Sequence, residues 1–240
     1  MSNIRLQRKI GLVGAVFLLI GNVIGASIFI LPGSLAGVAG PAVFFAYLIA
    51  LIPAFFNTLI AAQVGGILPV SAADYVFTST VLHPMLGFLK VWAAMIGALV
   101  GGPILAYGFA DYFSYLAPEA NRVIVASVSV LMMMAINLLG IRSSVKLQMA
   151  MVSFFISALL ILAIGGLFYI DIELLTPIAP MGWGVVISVA VPAYFSYTGF
   201  AMLLSITEEI KNPAKNIPLI TFYSFIIVAF VYTSVTFVLP

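Results

Sequence analysis

From Ile10 to Ala73 the chain carries no Asp, Glu, Lys or Arg. A helix needs about 20 apolar residues to cross the hydrocarbon of a bilayer, so this stretch alone has room for two crossings and a re-entrant segment. Backbone N–H and C=O groups in lipid must be paired within the protein, which leaves the helix as the spanning element for such runs. Further charge-free runs at Val91–Ala110, Val123–Ile141, Leu147–Ile170, Leu174–Thr207 and Asn216–Pro240 each accommodate one more span. Charged residues make up only 7% of the chain, against about 25% in soluble domains. The expectation is an all-α integral membrane protein with seven spans, at about 10–32, 42–64, 86–110, 122–139, 147–169, 183–207 and 219–239.

Two of these spans are interrupted. The first reads Leu-Ile-Gly-Asn-Val-Ile-Gly-Ala-Ser-Ile-Phe from Leu19 to Phe29, and the second reads Pro-Ala-Tyr-Phe-Ser-Tyr-Thr-Gly-Phe from Pro192 to Phe200. Glycine costs about 1 kcal/mol in a helix interior. Backbone freed at membrane depth is tolerated only where it lines a cavity or is buried in protein. A pair of such breaks, five spans apart, predicts a secondary transporter built from inverted repeats. The first repeat would occupy 1–169, and 183–240 would begin a second, incomplete one, so the chain is expected to be part of a longer permease.

Elsewhere, Gly33, Gly37, Gly40 and Pro41 are read as the turn after span 1, Pro53 as a kink in span 2, and Gly101-Gly102-Pro103 as a bend in span 3. Ser71–His83 is expected to form a short interfacial helix.

With an inside N-terminus, Arg5, Arg8, Lys9, Lys90, Arg142, Lys146, Lys211 and Lys215 all fall on the cytoplasmic side, and Arg122 alone falls outside. That asymmetry predicts a cytoplasmic N-terminus in a multi-pass cell-membrane protein. Cysteine is absent, which excludes disulfides, thiol nucleophiles and cysteine metal sites. No His-Glu-x-x-His, phosphate-binding glycine loop or cysteine–histidine cluster occurs, so an enzyme is not expected. The basic residues are scattered along one membrane face and form no nucleic-acid patch. No ionisable residue lies deep in a span, and no cofactor is expected; the coupling ion, proton or sodium, is left open.

Four stretches carry a resemblance to the amino acid–polyamine–organocation permease superfamily. Ile24-Gly25-Ala26-Ser27-Ile28-Phe29 resembles the family's I-G-x-G-I-F break in span 1. Gly65-Gly66-Ile67-Leu68-Pro69 through Tyr75 resembles the loop P-x-x-G-G-x-Y, and Asn137-Leu138-Leu139-Gly140 resembles the N-x-x-G closing span 4. Phe195-Ser196-Tyr197-Thr198-Gly199-Phe200, followed by Glu208-Glu209-Ile210-Lys211-Asn212-Pro213, resembles span 6 and its loop. The chain departs from the pattern at Ser27, at Ala72-Ala73 in place of a glycine pair, and at Ala201, where many members carry glutamate. The span 5 lysine of some proton-coupled members has no counterpart in Val152–Ser157. The resemblance implies the inverted five-helix-repeat transporter fold with discontinuous spans 1 and 6, and amino acid transport by alternating access. A polyamine or organocation permease, and a truncated pseudo-transporter or helper subunit, are the alternatives. A seven-span receptor fails on the paired breaks.

The site follows from helix ends. The half-helix restarting near Ala26 turns unpaired N–H groups and a positive dipole end into the gap, which suits a carboxylate. The half-helix ending near Ser196 offers carbonyls to an ammonium. One amino acid bridges the two, so the expected substrate-binding residues are Ile24, Gly25, Ala26 and Ser27 on one side, and Phe195, Ser196, Thr198 and Gly199 on the other. Asn22, Ala98, Gly101, Gly102 and Tyr197 are expected to line the pocket. The plainer readings are helix packing for Gly21-x-x-x-Gly25 and interhelical bonding for Asn22 and Asn137. His83 is expected to be a solvated loop residue, and Glu208 and Glu209 a solvated helix end.

The charge asymmetry also puts the loop at Asp171–Glu173 outside the cell. An Asp171→Cys variant of this cysteine-free chain is expected to react with an impermeant thiol reagent on intact cells. Labelling only after membrane disruption contradicts the orientation.

Overall fold

The computed structural model describes residues 10–239 except 26, 69, 71, 139–140 and 169–176, and the side chains of 141–144 are also outside the description. The break residue Ala26, the link at Gly140, the loop at Asp171–Glu173 and the N-terminal Arg5, Arg8 and Lys9 therefore lie outside the described residues.

Regular structure among the described residues is helical. The helices are α1 (Leu12–Ile24), α2 (Ser27–Ala39), α3 (Val43–Ile67), α4 (Ala73–Val81), α5 (Pro84–Ser114), α6 (Arg122–Leu138), α7 (Ile141–Leu167), α8 (Trp183–Phe195), α9 (Leu203–Ile206) and α10 (Pro213–Val238). Short 3₁₀ turns occupy Gly40–Ala42, Thr198–Met202 and Thr207–Glu209. Among the described residues, five stretches are long and apolar enough to cross a membrane: Leu12–Ile67, Pro84–Ser114, Val145–Leu167, Trp183–Glu209 and Pro213–Val238. Leu12–Ile67 runs for 56 residues. At about 1.5 Å per residue that is far longer than a bilayer of about 30 Å, and it holds both of the first two expected spans. Arg122–Leu138 is apolar but shorter.

Several boundaries differ from the sequence reading. Gly33 and Gly37 do not end a helix: α2 runs on to Ala39, with Pro32 inside it. Each glycine costs about 1 kcal/mol in a helix, whereas backbone left unpaired in an apolar stretch costs several kcal/mol per group. The turn comes at Gly40, with φ +64, a conformation open to glycine. Pro53 and Pro103, read as a kink and part of a bend, both lie inside helices, α3 and α5. The helix that contains the expected span 7 starts at Pro213, because Asn212 turns the chain at φ +47 and Pro213 opens α10 with its fixed φ. Within the stretch read as a short interfacial helix the structure has α4, and His83 caps α5 by accepting a bond from the Met85 N–H at 3.2 Å.

The chain divides into two compact units, 74–147 and the remainder. In the larger unit, α3 packs against α8 and α10, and α1 packs against α10. The α3 seam repeats at helical spacing through Val43, Ala46, Tyr47, Ala50, Ala54, Thr58 and Ala61, all buried. Its small side chains let the helices approach closely, the usual basis of packing in membranes. The smaller unit is an α5–α6 hairpin, closed by Ala106, Ala110 and Ala126. Arg122 pairs with Asp111 and lies over the Tyr107 ring, while Lys90 pairs with Asp74 at the other end of α5. These pairs are solvent-exposed and worth little each.

Gly21 and Gly199 mark close approaches of two different kinds in the larger unit. A Cβ at Gly21 would fall 2.6 Å from Val152 Cγ2 and 2.7 Å from Gln148 Nε2, both ends of side chains. At Gly199 it would fall 2.6 Å from the Val23 Cα and 2.7 Å from the Asn22 carbonyl oxygen, which are backbone. Side chains can turn away; a helix backbone cannot. Overpacking costs about 1–3 kcal/mol. Gly199→Ala is therefore expected to lower the melting temperature of the purified protein clearly more than Gly21→Ala. Equal losses in the two variants contradict this packing.

Candidate functional site

The first break lies between α1 and α2. The Gly25 N–H closes α1 on the Gly21 carbonyl at 3.1 Å. Gly25 itself takes φ +38 and ψ −140, which residues with a Cβ rarely adopt. The helix restarts at Ser27. The opening N–H groups of α2 have no intrahelical acceptor, and they carry the positive end of its dipole. The Ser27 hydroxyl donates to the Ile24 carbonyl at 2.9 Å, bridging the gap from within.

The second break is a tightening rather than an opening. After Phe195, Ser196 and Tyr197 form a turn whose N–H groups donate to the Ala193 and Tyr194 carbonyls at 3.1 and 2.9 Å. The 3₁₀ turn Thr198–Met202 follows, and then α9. Short 3₁₀ stretches in mid-helix mark hinges or strain. The Thr198 hydroxyl donates back to the Phe195 carbonyl at 2.8 Å. The Phe195 side chain is 68% exposed, whereas Ser196 is buried.

The structure brings the two breaks together. Gly199 lies against the backbone of α1 at Asn22–Val23, and the Asn22 side-chain amide donates to the Gly199 carbonyl at 2.9 Å. Asn22 is thus an interhelical bonding partner as well as a neighbour of the gap. On the other side stands Tyr232 from α10. Its hydroxyl is 2.6 Å from Ser27 Oγ and 3.4 Å from the carbonyl oxygens of both Ile24 and Ser196. One hydroxyl therefore touches both interrupted helices.

Tyr232 belongs to a buried aromatic cluster. Its ring stacks on Tyr47 of α3 with centroids 5.5 Å apart, and Tyr197 meets it edge-on at 5.1 Å. The Tyr47 hydroxyl bonds Ser196 Oγ at 3.2 Å. Sequence reasoning missed Tyr47 and Tyr232. The available signal was a polar-tipped aromatic in a charge-free span, since a buried tyrosine hydroxyl needs a partner.

Of the expected lining residues, Ala98, Gly101 and Gly102 belong to the smaller unit, on α5. An apolar cavity of about 610 Å³ lies among α3, α7 and α10, lined by Phe44, Leu48, Leu160, Ala163 and Phe237 among others, and by none of the expected site residues.

Residues 10–239 match the family model described as "Amino acid permease". The chain is 29% identical over 251 residues to "Branched-chain amino acid permease BcaP" of Bacillus subtilis (strain 168), covering 96% of this chain and 54% of that protein. It is 30% identical over 251 residues to "Asc-type amino acid transporter 1" of Mus musculus, covering 97% of this chain and 47% of that one. It is 27% identical over 239 residues to "Methylthioribose transporter" of Bacillus subtilis (strain 168), covering 92% and 52%. The chain spans about half the length of these curated relatives.

Proposed function

The chain belongs to the amino acid permease family, and on that premise we propose that it carries the substrate-binding breaks of a secondary transporter for neutral amino acids. The observation that carries this reading is the meeting of two interrupted apolar helices, α1–α2 and α8–α9, under one bridging hydroxyl.

The substrate carboxylate sits at the N-terminus of α2, against the N–H groups beyond Gly25. A helix N-terminus favours an anion by up to about 2 kcal/mol in partly buried geometry. The ammonium faces the carbonyls of Phe195, Ser196 and Gly199. Those oxygens already accept from Thr198, Tyr232 and Asn22, but a carbonyl has two lone pairs and can accept again. None of the break residues is charged, which favours a neutral substrate side chain over an acidic or basic one. The name of the branched-chain relative supports the same class, and that of the Asc-type relative supports an amino acid substrate. The methylthioribose relative supports a second reading, a small polar metabolite without a carboxylate.

The seven-span arrangement, the inverted repeat and the cytoplasmic N-terminus form part of the same proposal. Alternating access then amounts to half-helices tilting about the two breaks, where few backbone bonds hold them.

In purified protein, wild type is expected to bind L-leucine, L-alanine or L-serine at least about tenfold more tightly than the matching carboxamide, the tenfold being 1.4 kcal/mol. Gly25→Val is expected to abolish this binding, because valine does not reach φ +38 without strain. Normal binding by Gly25→Val, or equal binding of acid and amide, contradicts the carboxylate site and favours the second reading.

A further inference from the structure

The hydroxyl of Tyr197 is buried and has no hydrogen-bond partner among the described residues. Tyr197 is 1% exposed, so this chain by itself already encloses it. A further helix packed on the outside of the unit would not reach that oxygen without moving what covers it. A buried hydroxyl left unmatched is a cost, and such a group in a native protein calls for an explanation in water, ligand or function.

Its surroundings narrow the explanation. Tyr197 sits between Ser196 and Thr198, inside the second break. Its ring lies edge-on to Tyr232 and to Tyr47, and both of those hydroxyls are engaged, with Ser27 and with Ser196. The carbonyls that line the two breaks each have a side-chain partner of their own. The Ile24 carbonyl takes the Ser27 hydroxyl, Phe195 takes Thr198, Gly199 takes Asn22, and Ser196 faces Tyr232. No acceptor among the described residues stands within hydrogen-bonding geometry of the Tyr197 proton. What is missing is an acceptor brought from outside the chain, at the point where two helix ends meet. An ammonium has no lone pair to offer; a carboxylate has several.

We propose that Tyr197 is a specificity-determining residue, whose hydroxyl donates to the carboxylate of the bound amino acid alongside the N–H groups that open α2. This rests on the carboxylate site proposed above. It adds to that site a side-chain donor from the second break, so a single carboxylate is held from both interrupted helices. Substrate entry then satisfies a group that the empty protein leaves unsatisfied, and the 3₁₀ turn beside it is the segment that yields to admit the contact.

The test is Tyr197→Phe in the purified protein as encoded, titrated with L-leucine and with L-leucinamide, and melted without ligand. Removing an unpaired hydroxyl leaves the ligand-free protein no less stable. Hydrogen bonds to a charged acceptor are about twice as strong as neutral ones, so the variant is expected to lose about tenfold in affinity for leucine and clearly less for leucinamide. If wild type prefers leucine and the variant keeps the full preference, this inference is overturned while the carboxylate site stands. A lower ligand-free melting temperature, or failure to fold, together with equal losses for both ligands, also overturns it, since the hydroxyl is then structural and held by an internal water. A wild type that binds both ligands equally overturns the carboxylate site and the inference with it.

Discussion

Backbone hydrogen bonding in an apolar medium governs the larger unit. A helix broken at membrane depth exposes carbonyl and N–H groups at several kcal/mol each, and this chain meets that demand with side chains from the breaks themselves, from α1 and from α10. Ser27 and Thr198 satisfy carbonyls on their own side of each break. Asn22 reaches from α1 to the 3₁₀ turn, and Tyr232 reaches from α10 to both. The alanine-rich seam of α3 follows from the same demand. Only small residues there allow α8 and α10 to come close enough for Tyr47, Ser196 and Tyr232 to meet.

The parts of this arrangement that are local in sequence were legible there. Gly25 stands out because a glycine amid apolar residues marks a special backbone, and it takes a positive φ. Gly199 was equally visible, although its reason is different. Its φ is ordinary, and what it needs is the absence of a Cβ against the backbone of α1. The tyrosine cluster was not legible. Tyr232 meets Ser27 across 205 positions and Tyr47 meets Ser196 across 149, and no periodicity within one helix encodes which neighbour it will face. Asn22 was seen as a polar residue in a span, but its partner lies 177 positions away.

Helix ends were the least legible feature, for a related reason. Glycine and proline punctuate soluble sequences because water can pair the backbone they release. In α2, Gly33 and Gly37 lie where releasing the backbone costs more than keeping the helix, so the signal at Gly40 wins only with a positive φ. At the start of α10, the Asn212-Pro213 pair sets the boundary, and Pro218 forgoes one bond within a helix already under way. The strength of a punctuation mark thus depends on the solvent around it, a quantity the residue alone does not carry.

The same bonds constrain how the unit can move. The start of α1 is joined to the segment after α9 by a parallel bridge, with the Ile10 N–H donating to Glu209 at 3.0 Å and the Lys211 N–H donating to Ile10 at 2.9 Å. At its other end, α1 is held by Asn22 to Gly199. A helix of 13 residues pinned at both ends to one neighbour does not tilt alone. It moves with Thr198–Lys211, or it gives up one of the two attachments. Each backbone bond is worth about 0.5–1.5 kcal/mol net, so releasing the Ile10 bridge demands only a few kcal/mol. A ligand shifts such an equilibrium only by its differential affinity for the two states. The attachments that hold α1 to its neighbour are therefore weak taken singly, and it is their pairing at the two ends that fixes the helix.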